Sequence, residues 1–424
     1  MTDSSQVRDC LARKVDESLP RLIETTQKLV GIASPNPPSD TAEIAKTVQA
    51  LLSSIPSIEI ERVEPEPRII SIVARIRAAK PGRRLIFNGH LDTFPIGEHL
   101  GWTVAPLGGL LRDGRIYGRG VSDMKAGIAS SILAAALLAE HRDAWSGEVV
   151  LTLAGDEENM GSLGTGYLLD HISHASGDAN ICGDVGSPSV VRFGEKGLYW
   201  IEIEAVGAPA HGAHVHKGIN AIDRLRLALD QVKSLEMLPV TAPQAVVEAI
   251  RHAAPISEPL SGQGEADVLR RVTVNIGTIE GGTSPNLVPV HAIARVDIRL
   301  PVGVRTADLD AKLDEWLSPI EGVTWRVIRR FEPSFTDPSH EIVLRVTDVA
   351  EEVLGKRPAI NMRVGGSDSR WYRMHDVPTV VFGPTPYNMG GPDEYVAVEE
   401  IRCVAKVHTL AAFDFLSSRP KCQQ

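Results

Sequence analysis

The chain lacks the marks of several large protein classes. Cysteine is scarce, four in 424 residues (Cys10, Cys182, Cys403 and Cys422), with no Cys-x-x-Cys pair and no framework spacing. That excludes a disulfide scaffold and leads us to expect reduced thiols in a cytoplasmic protein. The longest apolar stretch, near residues 127–139, falls short of the roughly 20 residues that a membrane helix needs, so no membrane partner is expected. The first residues, Met1-Thr2-Asp3-Ser4-Ser5, are polar and carry no apolar signal-peptide core. Positive charge is in the minority: 44 Lys and Arg face 54 Asp and Glu, a formal net charge of -10. No nucleic-acid partner is therefore expected, and the acidic excess reads as a solvated surface. Repeats and low-complexity tracts are also missing.

What is present is the composition of a globular protein, 43% apolar and 23% charged, in a chain too long for one typical core. We therefore expect two domains. Apolar residues at helical spacing (Val7, Leu11, Val15, Leu19, Leu22, Ile23, Leu29) predict helix over 5–31. A turn at Pro35-Asn36-Pro37-Pro38 and a helix over 42–52 follow. Strands are expected at 57–64, 69–76, 84–90, 148–154 and 179–182, with a small-residue helix over 126–139. Such strand–helix alternation, with polar residues at strand C-termini, marks an α/β sheet whose site lies at the strand ends. The rhythm changes near Glu195-Lys196-Gly197. From there the pattern reads strand (198–206), helix (218–236), a polar stretch with Pro255, Pro259 and Gly262, strands (270–279 and 288–299), helix (306–318) and strand (322–329). This βαββαβ order suits a ferredoxin-like α+β domain inserted into the first. Alternation resumes with helix 338–354, strand 358–362, a helix from Asp368, strand 378–382 and helix 398–417.

The chemistry starts at Leu85-Ile86-Phe87-Asn88-Gly89-His90-Leu91-Asp92. Side chains two apart share one face of a strand, so His90 and Asp92 can act as metal ligand and orienting carboxylate. Asp123, Glu157-Glu158 and Asp184 stand at the ends of later segments. Each has an ordinary reading when taken alone. Asp123 can cap a helix, Glu157-Glu158 can be a solvated pair, and Asp184 can make an Asp-Val-Gly turn. Taken together, His90, Asp123, Glu158 and Asp184 supply metal ligands from separate strand ends. Asp123 could bridge two ions, and Glu157 is placed to act as general base.

Longer motifs then carry a resemblance over nearly the whole chain. They are Gly89-His90-Leu91-Asp92-Thr93, Gly118-Arg119-Gly120-Val121-Ser122-Asp123-Met124-Lys125-Ala126-Gly127, Asp156-Glu157-Glu158 and Gly183-Asp184-Val185-Gly186-Ser187-Pro188. Further on come Ala210-His211-Gly212-Ala213-His214, Gly281-Gly282-Thr283-Ser284-Pro285-Asn286, Asp297-Ile298-Arg299, Gly365-Gly366-Ser367-Asp368 and residues 377–384. The sequence resembles the zinc-dependent aminoacylase, carboxypeptidase G, acetylornithine deacetylase and succinyl-diaminopimelate desuccinylase family. The resemblance implies a phosphorylase/hydrolase-like α/β catalytic domain, a mixed sheet covered by helices, over 1–194 and 333–424. It also implies that the inserted domain, 195–332, dimerises. His90, Asp123 and Asp184 would hold one ion, and Asp123 and Glu158 a second. Glu157 would be the base and Asp92 would clamp His90. His211 would reach the partner's active site as an oxyanion donor, while Asn286 and Arg299 would hold a substrate carrying a carboxylate. His214 and His216 would line the loop beside His211.

The sequence departs from that family at one ligand. The histidine expected four residues before Glu394-Tyr395 falls on Gly390, which has no side chain. One firmly bound ion, a weak second ion, or a second site completed by substrate are the expectations, with His375 as a candidate substitute. The hard ligand set suits manganese as well as zinc, and cobalt also fits. Three functions are weighed: hydrolysis of an amide in an N-acyl amino acid, dipeptide or carbamoyl compound; displacement of the amino group of an electron-poor aromatic amine, as in nitroanthranilate aminohydrolase; and non-catalytic binding.

Overall fold

The computed structural model describes residues 4–97 and 101–418. Cys422 and the N-terminal Met1-Thr2-Asp3 lie outside the described residues. Cys10, Cys182 and Cys403 are free thiols. The chain divides into two compact units: Met1–Phe193 with Thr336–Asn361 and Ser367–Gln424, and Gly194–Phe335 with Met362–Gly366.

The first unit is built on a mixed sheet. Its strands lie in the order Glu59–Glu66, Ile69–Arg77, Glu148–Ala154, Arg84–His90, Ala179–Cys182, Thr379–Val381 and Val190–Glu195. The strand Arg84–His90 is buried from Leu85 onward and runs parallel to both neighbours. Its register places His90 opposite Ala154 and Asn88 opposite Cys182. Three parallel strands therefore end along one edge. The turns that follow them carry His90 to Asp92, Asp156 to Glu158, and Asp184, and this is where an α/β sheet places its ligands.

Local chemistry explains the flanking helices. The predicted helix over 5–31 is two helices, Ser4–Glu17 and Leu19–Val30, because Pro20 fits only the first turn of a new helix. The helix Ala126–Glu140 is small-residue and buried from Ala126 through Ala139, and the long helix Val398–Ser417 packs on it. Counted from Val121, this segment reaches 20 residues, long and apolar enough to cross a membrane by composition, contrary to the sequence reading. Nearly all of its apolar stretch is buried within the protein, so its apolar surface serves the core.

The second unit is a four-stranded antiparallel sheet ordered Thr273–Gly281, His291–Leu300, Gly197–Val206 and Val323–Phe331. Alternate residues (Tyr199, Ile201, Ile203, Ala205) face a core shared with helices Ala221–Lys233 and Thr306–Leu317. Asn220 caps the former, its Oδ1 accepting from Ile222 N at 2.9 Å. One element corrects the sequence reading. The polar stretch with Pro255 and Pro259 is a helix, Gln244–Ser261, ended by Gly262 at φ +106°. Val246, Ile250, Ala253 and Ser257 form a buried stripe at helical spacing, and their burial outweighs the backbone bonds that the two prolines remove.

Candidate active site

His90 closes its strand with a side chain only 2% exposed. Its Nε2 lies 3.0 Å from Asp123 Oδ1, and its Nδ1 lies 2.9 Å from the backbone oxygen of Asp92. The Asp92 carboxylate stands 3.5 Å from the same Nδ1 and has a second task. It accepts from the backbone N of Glu157 (3.1 Å) and of Glu158 (3.0 Å), and from Asn36 Nδ2 (2.8 Å). One buried carboxylate thus ties the His90 turn to the Glu157-Glu158 turn. Burial works against the Asp92 charge, but His90 and these donors hold its pKa below the ordinary value.

The remaining acids crowd one another. Burial, then the charges of Asp123 and Glu157, push Glu158 up to about 10. Burial, with Asp368 and Asp184, pushes Glu157 up to about 8 against the pull of His90 and Arg370. Burial and Asp184 raise Asp123, with His90 pulling the other way. Burial opposes the imidazolium of His90, yet Asp123 and Asp92 hold its pKa well above the usual value. Glu158 Oε1 is buried and has no hydrogen-bond partner among the described residues. Ligand atoms of His90, Asp123 and Glu158 lie within 4.8 Å of one another, and this is the one such trio among the described residues. An orphaned carboxylate oxygen, a second carboxylate and an imidazole fit a divalent cation, whose charge would relieve the repulsion.

The other candidates fall in different places. Asp184 is 3% exposed and lies outside the trio, its Oδ1 accepting from Val185 N at 2.5 Å. Asp123 does not cap the helix Ala126–Glu140, whose N-terminus has no side-chain cap. Glu157 is no solvated acid: its side chain is 13% exposed, with Arg370 Nη1 3.9 Å from its Oε1. Gly390 sits at φ +73° and offers only its backbone oxygen, which accepts from Arg119 Nη2 at 2.8 Å. His375 does not replace the missing imidazole. Its Nε2 faces Asp170 Oδ1 at 3.1 Å and its Nδ1 faces Trp371 O at 2.8 Å, which ties it to its own helix end.

His211, Asn286 and Arg299 belong to the second unit. His211 Nδ1 accepts from Ala213 N (3.1 Å), which starts a short turn, and Gly212 N donates to Asn286 O (2.7 Å). These bonds bring His211 and Asn286 together on an exposed loop. Arg299 Nε is taken by Asp297 Oδ1 at 2.8 Å, since residues two apart share a strand face. Three residues of the first unit went without a role in the sequence reading: Asn36, Asp368 and Arg370. Asp368 is pushed to about 7 by burial and accepts from Thr165 Oγ1 at 2.7 Å through Oδ2, while its Oδ1 has no hydrogen-bond partner among the described residues. The Gly-Gly-Ser-Asp motif and the Pro-Asn-Pro-Pro turn were the available signals.

The chain is similar to known proteins over most of its length. The profile of Peptidase family M20/M25/M40 matches residues 86–414. Succinyl-diaminopimelate desuccinylase of Rhodospirillum centenum is 28% identical over 340 residues, covering 79% of this chain and 81% of that protein. In fold the chain is similar to the M20 family metallo-carboxypeptidase Sso-CP2 of Sulfolobus solfataricus (TM-score 0.77, 19% identity, 93% of this chain and 99% of that one). It is also similar to the YXEP protein of Bacillus subtilis, a dinuclear metal binding peptidase (TM-score 0.65, 16% identity, 95% and 99%). The chain belongs to Peptidase family M20/M25/M40 and is a metal-dependent hydrolase.

Proposed function

We propose that the protein hydrolyses the amide bond of an N-acyl amino acid or peptide-like substrate that carries a carboxylate. The observation that carries this reading is the trio of buried His90 and half-buried Asp123 and Glu158, with its orphaned Glu158 oxygen, directly beside Glu157. The desuccinylase name of the relatives supports the substrate class.

In this reading His90, Asp123 and Glu158 hold zinc or manganese, with Asp184 as a further carboxylate. A bound divalent ion supplies a Lewis acid and an acidified water. Asp92, by gripping the Glu157 and Glu158 amides, keeps the base and the ligand at a fixed offset. The Glu157 carboxylate takes the proton of the attacking water and returns it to the leaving amine. One ion would be held firmly by this ligand set; the separate second ion that the resemblance assigns to Asp123 and Glu158 would find no further side chain at Gly390.

We further propose a homodimer through the inserted unit. Its edge strand Thr273–Gly281 is exposed from Asn275 onward, with Ile276 37% and Ile279 58% exposed, and the neighbouring helix exposes Ile222 and Leu227. An open edge with apolar side chains is a pairing surface. His211 would then serve the partner copy's site as an oxyanion donor, with Asn286 and Arg299 gripping substrate. Incubation with a panel of N-succinyl and other N-acyl amino acids tests the reaction. Release of the carboxylic acid is the expected result. Ammonia from an electron-poor aromatic amine, with no acid from any acyl substrate, would overturn it. Metal analysis after loading should give about one tightly held ion per chain; two would contradict the single-site part.

A further inference from the structure

Glu394 was singled out by the sequence only as a landmark, yet its carboxylate collects four donors. Arg119 Nη1 (2.6 Å) and Gly120 N (3.1 Å) bind one oxygen, and Ser122 N (3.0 Å) and Ser122 Oγ (2.8 Å) bind the other. Its backbone oxygen accepts from Gly118 N at 2.8 Å. Glu394 and Arg119 are 1% and 3% exposed, so these bonds form away from water, where breaking one partner is costly. The flanking residues grip the same region. Asp393 accepts from Thr103 N (2.8 Å) and Oγ1 (2.7 Å), and Tyr395 pairs with Tyr117 across a short ladder. The held loop has little room to shift: Gly120 stands at φ +73°, and a Cβ there would come 2.2 Å from Thr93 Cγ2. Residues 118–122 are thus wrapped around one buried carboxylate, and the next residue is Asp123.

We infer that Glu394 is a positioning residue for Asp123. It fixes the loop that aims the Asp123 carboxylate at His90, and so it sets metal affinity without touching the ion. Groups that orient metal ligands typically govern affinity or activity by about 10–100-fold. This inference rests on the metal site proposed above.

The test is the dissociation constant for zinc, measured on metal-stripped full-length protein by competition with a chromophoric chelator. Melting without metal and kcat and KM at saturating zinc are recorded alongside. Glu394→Gln keeps the shape but replaces one acceptor oxygen by a donor. Its zinc dissociation constant should rise at least tenfold, with kcat lowered and KM nearly unchanged. Ser122→Ala removes one of the four donors, keeps the ion pair, and should raise the constant several-fold in a protein that still folds. If Glu394→Gln fails to fold, Ser122→Ala decides. Zinc affinity equal to wild type in the folded variants, with only a lower melting temperature, would overturn the inference. A wild-type protein that binds no divalent ion would instead overturn the metal site itself, and the inference with it.

Discussion

The two units hold candidate residues in opposite states. In the first, His90 is buried and Asp123, Glu157 and Glu158 are half-buried; the acids raise one another's pKa, His90 pulls against them, and among the described residues Glu158 Oε1 has no hydrogen-bond partner. In the second, His211 and Asn286 are exposed and Arg299 is paired with Asp297, each with a neighbour of its own. The first group is electrostatically incomplete and asks for a cation. The second is locally complete and asks only for something to bind. In the proposed reading the first group carries the chemistry and the second grips substrate.

The largest expected effect falls on the first group. Glu157→Gln should cut kcat by about 10³–10⁴-fold while zinc content stays unchanged, because only the proton carrier is lost. Full turnover in that variant would remove Glu157 from the mechanism. His211→Ala should cost about 10²–10³-fold in kcat, the usual loss for an oxyanion donor, with unchanged metal content. Mixing His211→Ala with Glu157→Gln at equal amounts then sharpens the comparison. If His211 serves the partner's site, random exchange gives about a quarter of wild-type activity; if it serves its own, activity stays at the sum of the two variants.

A smaller effect separates repulsion from packing. Glu158→Gln should weaken zinc binding and yet raise the melting temperature of the metal-free protein by a few degrees, since it removes one of several mutually raised acids. A lower metal-free melting temperature would mean that the carboxylate is stabilising as it stands. A pH-dependent effect lies in the core of the first unit. Burial pushes His408 down to about 4, and its ring contacts Ser131 Oγ and Phe382 O. Its folded pKa lies below its unfolded one, so its contribution is present above about pH 6.5 and is lost as pH falls toward 4. Up to about 3 kcal/mol is at stake, and His408→Gln should flatten the slope of stability against pH in that window. An unchanged slope would assign the acid sensitivity to other groups.

Much of this was legible along the chain because local periodicity carries it. The strand Arg84–His90 announces itself by an apolar run, and spacing of two puts His90 and Asp92 on one face. The same rule would have paired Arg299 with Asp297. The helix Gln244–Ser261 was not legible, because two prolines argue locally against it and only the burial of its stripe argues for it. His375 looked available as a ligand until its Asp170 contact appeared.

The sequence by itself determined which acids and imidazoles end the parallel strands, and with them the family and the class of chemistry. Those are properties of residue order, set by side-chain alternation and by the turns that follow each strand. Only the tertiary structure decided that Asp92 grips the Glu157-Glu158 turn, that Glu158 Oε1 has no hydrogen-bond partner among the described residues, and that Glu394 holds the loop of Asp123 from 271 residues away. Burial and close approach of distant segments create those relations, and neither is written in local sequence.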